Sequence, residues 1–164
     1  IRIFANIHDV IPSKLLMIGD GPERTKAETL CRELDISDAV RFLGKLEAVE
    51  EVLSVADLFL MPSEKESFGL AALEAMACEV PVISSNTGGL PELNVQGVTG
   101  FMSPVGDIED MTQKALFVLD KANLPTFKAN ALKRAQEFDI TQILPLYEEY
   151  YHRIMEKTAS RATI

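Results

Sequence analysis

With 164 residues, 47% of them hydrophobic, and a mean hydropathy of +0.09, the chain can enclose one full core. No apolar run approaches the roughly 20 residues of a membrane span, and a net charge of −9 excludes the general nucleic-acid binding that needs a basic face. Cys31 and Cys78 lie far apart, each in a predicted helix. That is neither a metal spacing nor a disulfide framework, and it reads as two thiols in a reducing cytoplasm.

Ile1, Ile3, Phe4, Ile7, Val10 and Ile11 recur at helical spacing, so an amphipathic helix is predicted first. There is no initiator Met and no basic flank with a cleavage site. Lys14 to Ile18 reads as a strand and Gly19-Asp20-Gly21-Pro22 as its turn. Pro22 suits the first turn of a helix that reaches about Leu34. Gly19-x-Gly21 raises a dinucleotide-binding fingerprint, but Arg24 stands where that motif wants a third Gly or Ala. A tight strand-to-helix turn is the better reading, which makes a dehydrogenase the weakest function considered. Val40 to Leu43 is the next strand, Glu47 to Val55 a short helix, and Leu58 to Met61 a buried strand ended by Pro62.

The stretch that follows, Ser63 to Ala77, is the centre of the chain. Polar residues turn it, and from Gly69 onward Leu, Ala, Glu and Met favour a helix. Ser67, Phe68 and Gly69 therefore sit at or beside a helix N-terminus, where free N–H groups and the positive end of the dipole suit an anion. Glu66 and Glu74 bracket this point, eight residues apart. At helical rise they are separated by roughly 12 Å, too far for a glycosidase acid/base pair at about 5–9.5 Å. They would suit the two ends of a long ligand with an anionic middle, such as a nucleotide-sugar. On spacing alone, an acid near a helix start and a solvated helix glutamate explain them at least as well.

Val80 to Ser84 is a further strand, and its loop holds Gly88-Gly89-Leu90-Pro91-Glu92. Paired glycines permit close backbone approach to a ligand and equally a bare turn. Thr99 to Ser103 is the last predicted strand. Asp107 is predicted to cap a helix through Leu119, Phe127 to Phe138 forms another, and Thr141 caps the last. About half of the last helix's stripe (Ile143, Leu144, Tyr147, Tyr150, Tyr151, Ile154, Met155) is expected to pack on the domain's own sheet. His8 and His152 stand alone, without a metal-ligand pattern. Residues 158–164 read as a disordered tail.

Strands alternating with helices predict an α/β domain, a Rossmann-like parallel sheet with helices on both faces. Ligands of such sheets lie beyond the C-terminal ends of the strands, where Gly19-Asp20-Gly21, Gly44, Glu66 and Gly88-Gly89 all fall.

Glu66-x7-Glu74 with Ser67-Phe68-Gly69 inside it resembles the signature of the retaining glycosyltransferases of family 4, which have the GT-B fold. Supporting pieces follow in the family's order: Gly19-Asp20-Gly21-Pro22-Glu23, Phe42-Leu43-Gly44, Ala56-Asp57, Pro81-Val82-Ile83, Gly88-Gly89-Leu90-Pro91-Glu92 and Gly97-Val98-Thr99-Gly100-Phe101. The likeness reaches to about Asp110. The wording Ser63 to Gly69 is similar to bacillithiol-pathway members, which join N-acetylglucosamine from its UDP donor to L-malate.

The resemblance implies that 1–157 is a donor-binding domain incomplete at its N-terminus, the C-terminal half of a GT-B enzyme. The donor would be a UDP-linked sugar. An N-terminal domain of the same protein would supply the acceptor site, and a strand and loop before the first helix would supply a diphosphate-binding Arg and Lys. Glu66 would be the catalytic residue, facing the donor sugar's hydroxyls, and Glu74 would bind the ribose. Leu43, Gly44 and Lys45 would border the base, and Ser67, Phe68, Gly69 and Leu70 the diphosphate or sugar. No cofactor and no metal are implied, the location is cytoplasmic, and these residues alone would be inactive. The family usually has Gly where this chain has Glu79. A GT-B sugar-nucleotide epimerase, or a non-catalytic α/β binding module, is the alternative.

Overall fold

The computed structural model describes residues 1–161. In chain order it holds α1 (Arg2–His8), β1 (Leu15–Ile18), α2 (Arg24–Glu33), a 3-10 turn (Ser37–Ala39), β2 (Val40–Gly44), α3 (Val49–Leu53) and β3 (Phe59–Met61). α4 (Leu70–Ala77), β4 (Val82–Ser85), α5 (Leu90–Leu93), β5 (Gly100–Ser103), α6 (Ile108–Leu119), α7 (Leu124–Gln136) and α8 (Ile140–Arg161) follow. The predicted elements are all present, with shifted ends. Two were not foreseen: the 3-10 turn at Ser37–Ala39, and the Gly88 to Glu92 loop, which closes into the four-residue helix α5 with Pro91 in its first turn.

Every pairing between the strands is parallel, because a helix or crossover separates each strand from the next. β1 pairs with β2, and β3, β4 and β5 pair in that order. β4 is internal and buried at all four residues. Its side chains alternate between two cores, as the period-two pleat requires. Val82 joins Ala72, Ala75 and Met76 of α4 and Ala131 of α7 on one face. Ile83 joins Ile3 and Ile7 of α1 and Met111 and Ala115 of α6 on the other. A third cluster, with Phe4, Cys31 and Val40, seats α1 and α2 on β1 and β2. Cys31 is a packing residue there, and burial pushes its thiol pKa up.

β1 and β3 do not pair with each other. A cavity of about 740 Å³, lined by Leu16 and Ile18 of β1 and Leu58 and Leu60 near β3, lies between them. The described strands thus form two parallel groups, and the break falls inside the array rather than at its rim.

The interior carries one polar knot. Asn94, fully buried at the end of α5, donates from Nδ2 to the Val82 and Phe101 carbonyls, both at 3.1 Å, and to Ser84 Oγ at 3.0 Å. Thr99 Oγ1 donates to Asn94 Oδ1 at 2.9 Å. One side chain therefore ties α5 to both β4 and β5.

Asp107 caps α6 as expected, accepting from the Asp110 N–H at 3.0 Å. The cap of α8 differs from expectation. It is Asp139, whose Oδ1 accepts from the Thr141 N–H at 2.8 Å and from Thr141 Oγ1 at 2.6 Å. These bonds hold the Asp139 carboxyl below its usual pKa range. The aromatic stripe of α8 is also not where packing alone would put it. Leu144, Tyr147, Tyr150, Tyr151, Ile154 and Met155 are all exposed, and Ile143 is half-buried. The helix carries through Arg161, into the stretch expected to be unstructured, and 162–164 lie outside the described residues.

α4 ends in a Schellman motif: the Val80 N–H bonds the Ala75 carbonyl at 2.9 Å and the Glu79 N–H bonds that of Met76 at 3.0 Å. This places Glu79 at φ 62°, in the left-handed region that favours glycine. A left-handed non-glycine residue costs about 1–2 kcal/mol, and Gly returns part of that as unfolded-chain entropy. Glu79→Gly should therefore stabilise the fold by a few tenths to about 1 kcal/mol. The check is thermal unfolding, where the melting temperature should rise by roughly 1–4 °C. A fall would contradict the strain.

Candidate functional site

The C-terminal ends of β1 to β4 carry four turns, and the structure joins them in pairs. Beyond β1 and β2, the Gly19 N–H bonds the Gly44 carbonyl at 2.8 Å, so Gly19-Asp20-Gly21 and Leu43-Gly44-Lys45 form one rim. Leu43 and Lys45 are exposed there.

Beyond β3 and β4, the 62–69 and 86–89 loops meet backbone to backbone. The Gly89 N–H bonds the Ser67 carbonyl at 3.0 Å. A Cβ on Gly88 would stand 1.6 Å from the Glu66 carbonyl oxygen, and one on Gly89 2.5 Å from that of Ser67. The paired glycines are more than a bare turn: they seat the Glu66–Ser67 backbone.

Glu66 is half-buried, and its Oε1 accepts from the Ser67 N–H at 2.9 Å. Gly69, buried at φ 100°, is the N-terminal flank of α4. A Cβ there would meet Leu90 Cδ2 at 2.7 Å. The backbone N–H groups of Phe68, Gly69 and Leu70 have no hydrogen-bond partner among the described residues. They are donors at the positive end of an eight-residue helix, as the sequence led one to expect. Lys45 and Lys65 are exposed and form no ion pair among the described residues. They are the cations on these loops.

Glu74 is exposed one turn into α4. It lines a cavity of about 370 Å³ with Leu16, Ile18, Leu60, Pro62 and Ala71, beside the break between β1 and β3. Glu66 does not line that cavity. The two carboxylates thus do not share that cavity. Their separation does not follow from helical rise, since only the steps from Leu70 to Glu74 are helical. Among the described residues no group of three or more His, Cys, Asp or Glu is placed to hold a metal.

Two contributors carry no sequence motif. The ring of Phe138, just past α7, meets Phe68 edge-on at 5.6 Å between centroids. Arg134 bonds the Leu93 carbonyl at 3.2 Å. Both come from a stretch read only as helical, and only long-range folding brings them here.

A family model described as glycosyl transferases group 1 matches residues 1–135. An N-acetyl-alpha-D-glucosaminyl L-malate synthase of Bacillus anthracis is 41% identical over 160 residues, covering 94% of this chain and 41% of the relative. A D-inositol 3-phosphate glycosyltransferase of Mycolicibacterium smegmatis is 35% identical over 159 residues, 92% of this chain and 36% of its own length. Among solved structures, a sucrose-phosphate synthase of Thermosynechococcus elongatus superposes with a TM-score of 0.82 at 30% identity, over 95% of this chain and 42% of that one. The Anabaena protein HepE, solved with UDP, gives 0.81 at 26% identity, over 92% of this chain and 44% of its own. The chain spans about two fifths of the length of these relatives.

Gly88→Ala tests the loop contact. It places a methyl on the Glu66 carbonyl and forces φ 57° on a residue with a Cβ. Strain and displacement together should cost about 2–4 kcal/mol. Denaturant unfolding should show it as a lowered midpoint; an unchanged midpoint would mean the loops separate freely.

Proposed function

The chain belongs to the group 1 glycosyl transferases, and on that premise we propose that it is the donor-binding part of a retaining enzyme. In this reading the enzyme moves N-acetylglucosamine from UDP to L-malate. The fold is the α/β one expected of the C-terminal half of a GT-B enzyme, with parallel strands and helices on both faces. The observation that carries the reading is the set of Phe68, Gly69 and Leu70 N–H groups, without a partner among the described residues, on a loop seated by backbone contact.

Relatives with different named acceptors, malate and inositol phosphate, match over the same span of this chain. That favours a donor-side role for the span, with acceptor choice made by an N-terminal domain of the longer protein. The 41% identity with the malate enzyme favours that acceptor.

In the proposed complex Glu74 accepts the ribose hydroxyls from its place beside the strand break. Glu66 accepts the donor sugar's hydroxyls, and Leu43, Gly44 and Lys45 border the base. Ser67 holds the Glu66 carboxylate through its N–H, and the Phe68 to Leu70 amides meet the diphosphate or sugar. During transfer the bond from the anomeric carbon to the diphosphate breaks and the acceptor hydroxyl oxygen takes the sugar. The hydroxyl proton ends on the released diphosphate or in solvent. Charge builds on the leaving diphosphate, and fixed N–H groups with Lys65 stabilise it without reorganising. The site must be built locally, against a net charge of −9. Both cysteines are free, which fits the proposed cytoplasmic setting, and no helix among the described residues is long and apolar enough to cross a membrane.

The experiment is UDP titration and turnover in the full-length protein. Glu74→Ala should weaken UDP binding roughly ten- to a hundredfold, because a carboxylate accepting hydroxyls makes charge-assisted bonds of about 1.5–3 kcal/mol. Equal affinity would make Glu74 a solvated helix residue. Glu66→Ala should leave UDP affinity intact and depress malate-dependent UDP release from UDP-N-acetylglucosamine. Retained turnover would remove Glu66 from the sugar.

A further inference from the structure

The 62–69 loop is hinged on permissive backbone: it ends at Gly69 and rests on Gly88 and Gly89. The glycine contact seats the loop's main chain, but glycine restrains a chain least of all residues, so further restraint must come from packing outside the loop. That packing comes from the C-terminal end of α7. Ala131 and Ala135 lie in one core with Ala72 and Ala75 of α4, and side chains this small let the helices approach closely. Just beyond that contact, the Arg134 guanidinium carbon lies 4.8 Å from the centre of the Phe138 ring. The same ring meets Phe68 at 63° between planes. Arg134 also donates from Nε to the Leu93 carbonyl at 3.2 Å and from Nη2 to that of Glu92, and its Nη1 pairs with Glu137. These carbonyls close α5, where a helix end leaves acceptors unmet. A planar fork with five donors can hold two carbonyls and stack on a ring at once, which a lysine cannot.

We propose that Arg134 and Phe138 are positioning residues of the donor site. Together they lock the Glu66-Ser67-Phe68-Gly69 loop to α5, and so set where the Glu66 carboxylate and the Phe68 to Leu70 amides stand. Neither touches the donor. The inference rests on the glycosyltransferase reading above for its catalytic consequence, but the mechanical link stands on the contacts alone.

Phe138→Leu keeps apolar bulk and removes the ring, Phe138→Tyr keeps the ring, and Arg134→Lys keeps the charge without the fork. The test uses the full-length protein and reads hydrogen exchange at residues 66–70, UDP affinity, and kcat with UDP-N-acetylglucosamine and L-malate. An aromatic pair has the strength to slow local opening about three- to tenfold. Phe138→Leu and Arg134→Lys should therefore speed exchange at 66–70 by about that factor and lower kcat similarly. UDP affinity should weaken by no more than the same factor, because the Phe68 to Leu70 amides loosen while Glu74 on α4 stays in place, and Phe138→Tyr should recover the exchange and kcat readouts. Unchanged exchange at 66–70 in Phe138→Leu overturns the proposal. So does a rise spread equally over α4 and α7, or a Tyr variant no better than Leu. If the unaltered protein releases UDP from no donor, the functional reading fails, and the exchange pattern by itself decides the positioning role.

Discussion

The structure turns on a place where two backbones touch with no side chain between them. Gly88 and Gly89 lie so close to the Glu66 and Ser67 carbonyls that no Cβ could be inserted. That contact binds the loop after β3 to the loop after β4. It carries Glu66, the free amides at the start of α4, and α5 as one piece. A binding constellation has to be held to within a fraction of an ångström by the residues behind it. Here the first support is main chain, with geometry set by bond lengths rather than by rotamers.

Behind that contact the support changes in kind. Asn94 spends its amide on two carbonyls and a hydroxyl, tying α5 to both β4 and β5. In a fully buried setting such a network is rigid because each lost bond would strand a desolvated polar group. On the opposite flank the alanines of α4 and α7 bring two helices together. The end of α7 then delivers an aromatic ring and a guanidinium to the loops. Polar satisfaction holds one side of the site and packing holds the other.

Electrostatics gives the site its sign. The chain is acidic overall, so its net charge does not favour anions at long range. What remains is short-range: N–H groups and the Lys45 and Lys65 cations, all without a partner among the described residues, and a helix end. Glu74 stands in a separate cavity beside the strand break, away from Glu66.

The sequence by itself determined the alternation of strands and helices, since that follows from apolar period and from Gly, Pro and Asp at the element ends. It determined the Asp107 cap, and it placed the free amides beside Gly69, because each depends on neighbours within a few residues. The motif around Glu66 and Glu74 made the family legible. What only the tertiary structure decided were matters of distance between residues far apart in the chain. The purpose of Gly88-Gly89 depends on Glu66, some twenty residues earlier, and the loop's outer support depends on Phe138, seventy residues after Phe68. The break between β1 and β3, and the solvent-facing stripe of α8, were likewise invisible to periodicity. An apolar period tells that a face wants burial, but not whether the fold brings anything to cover it.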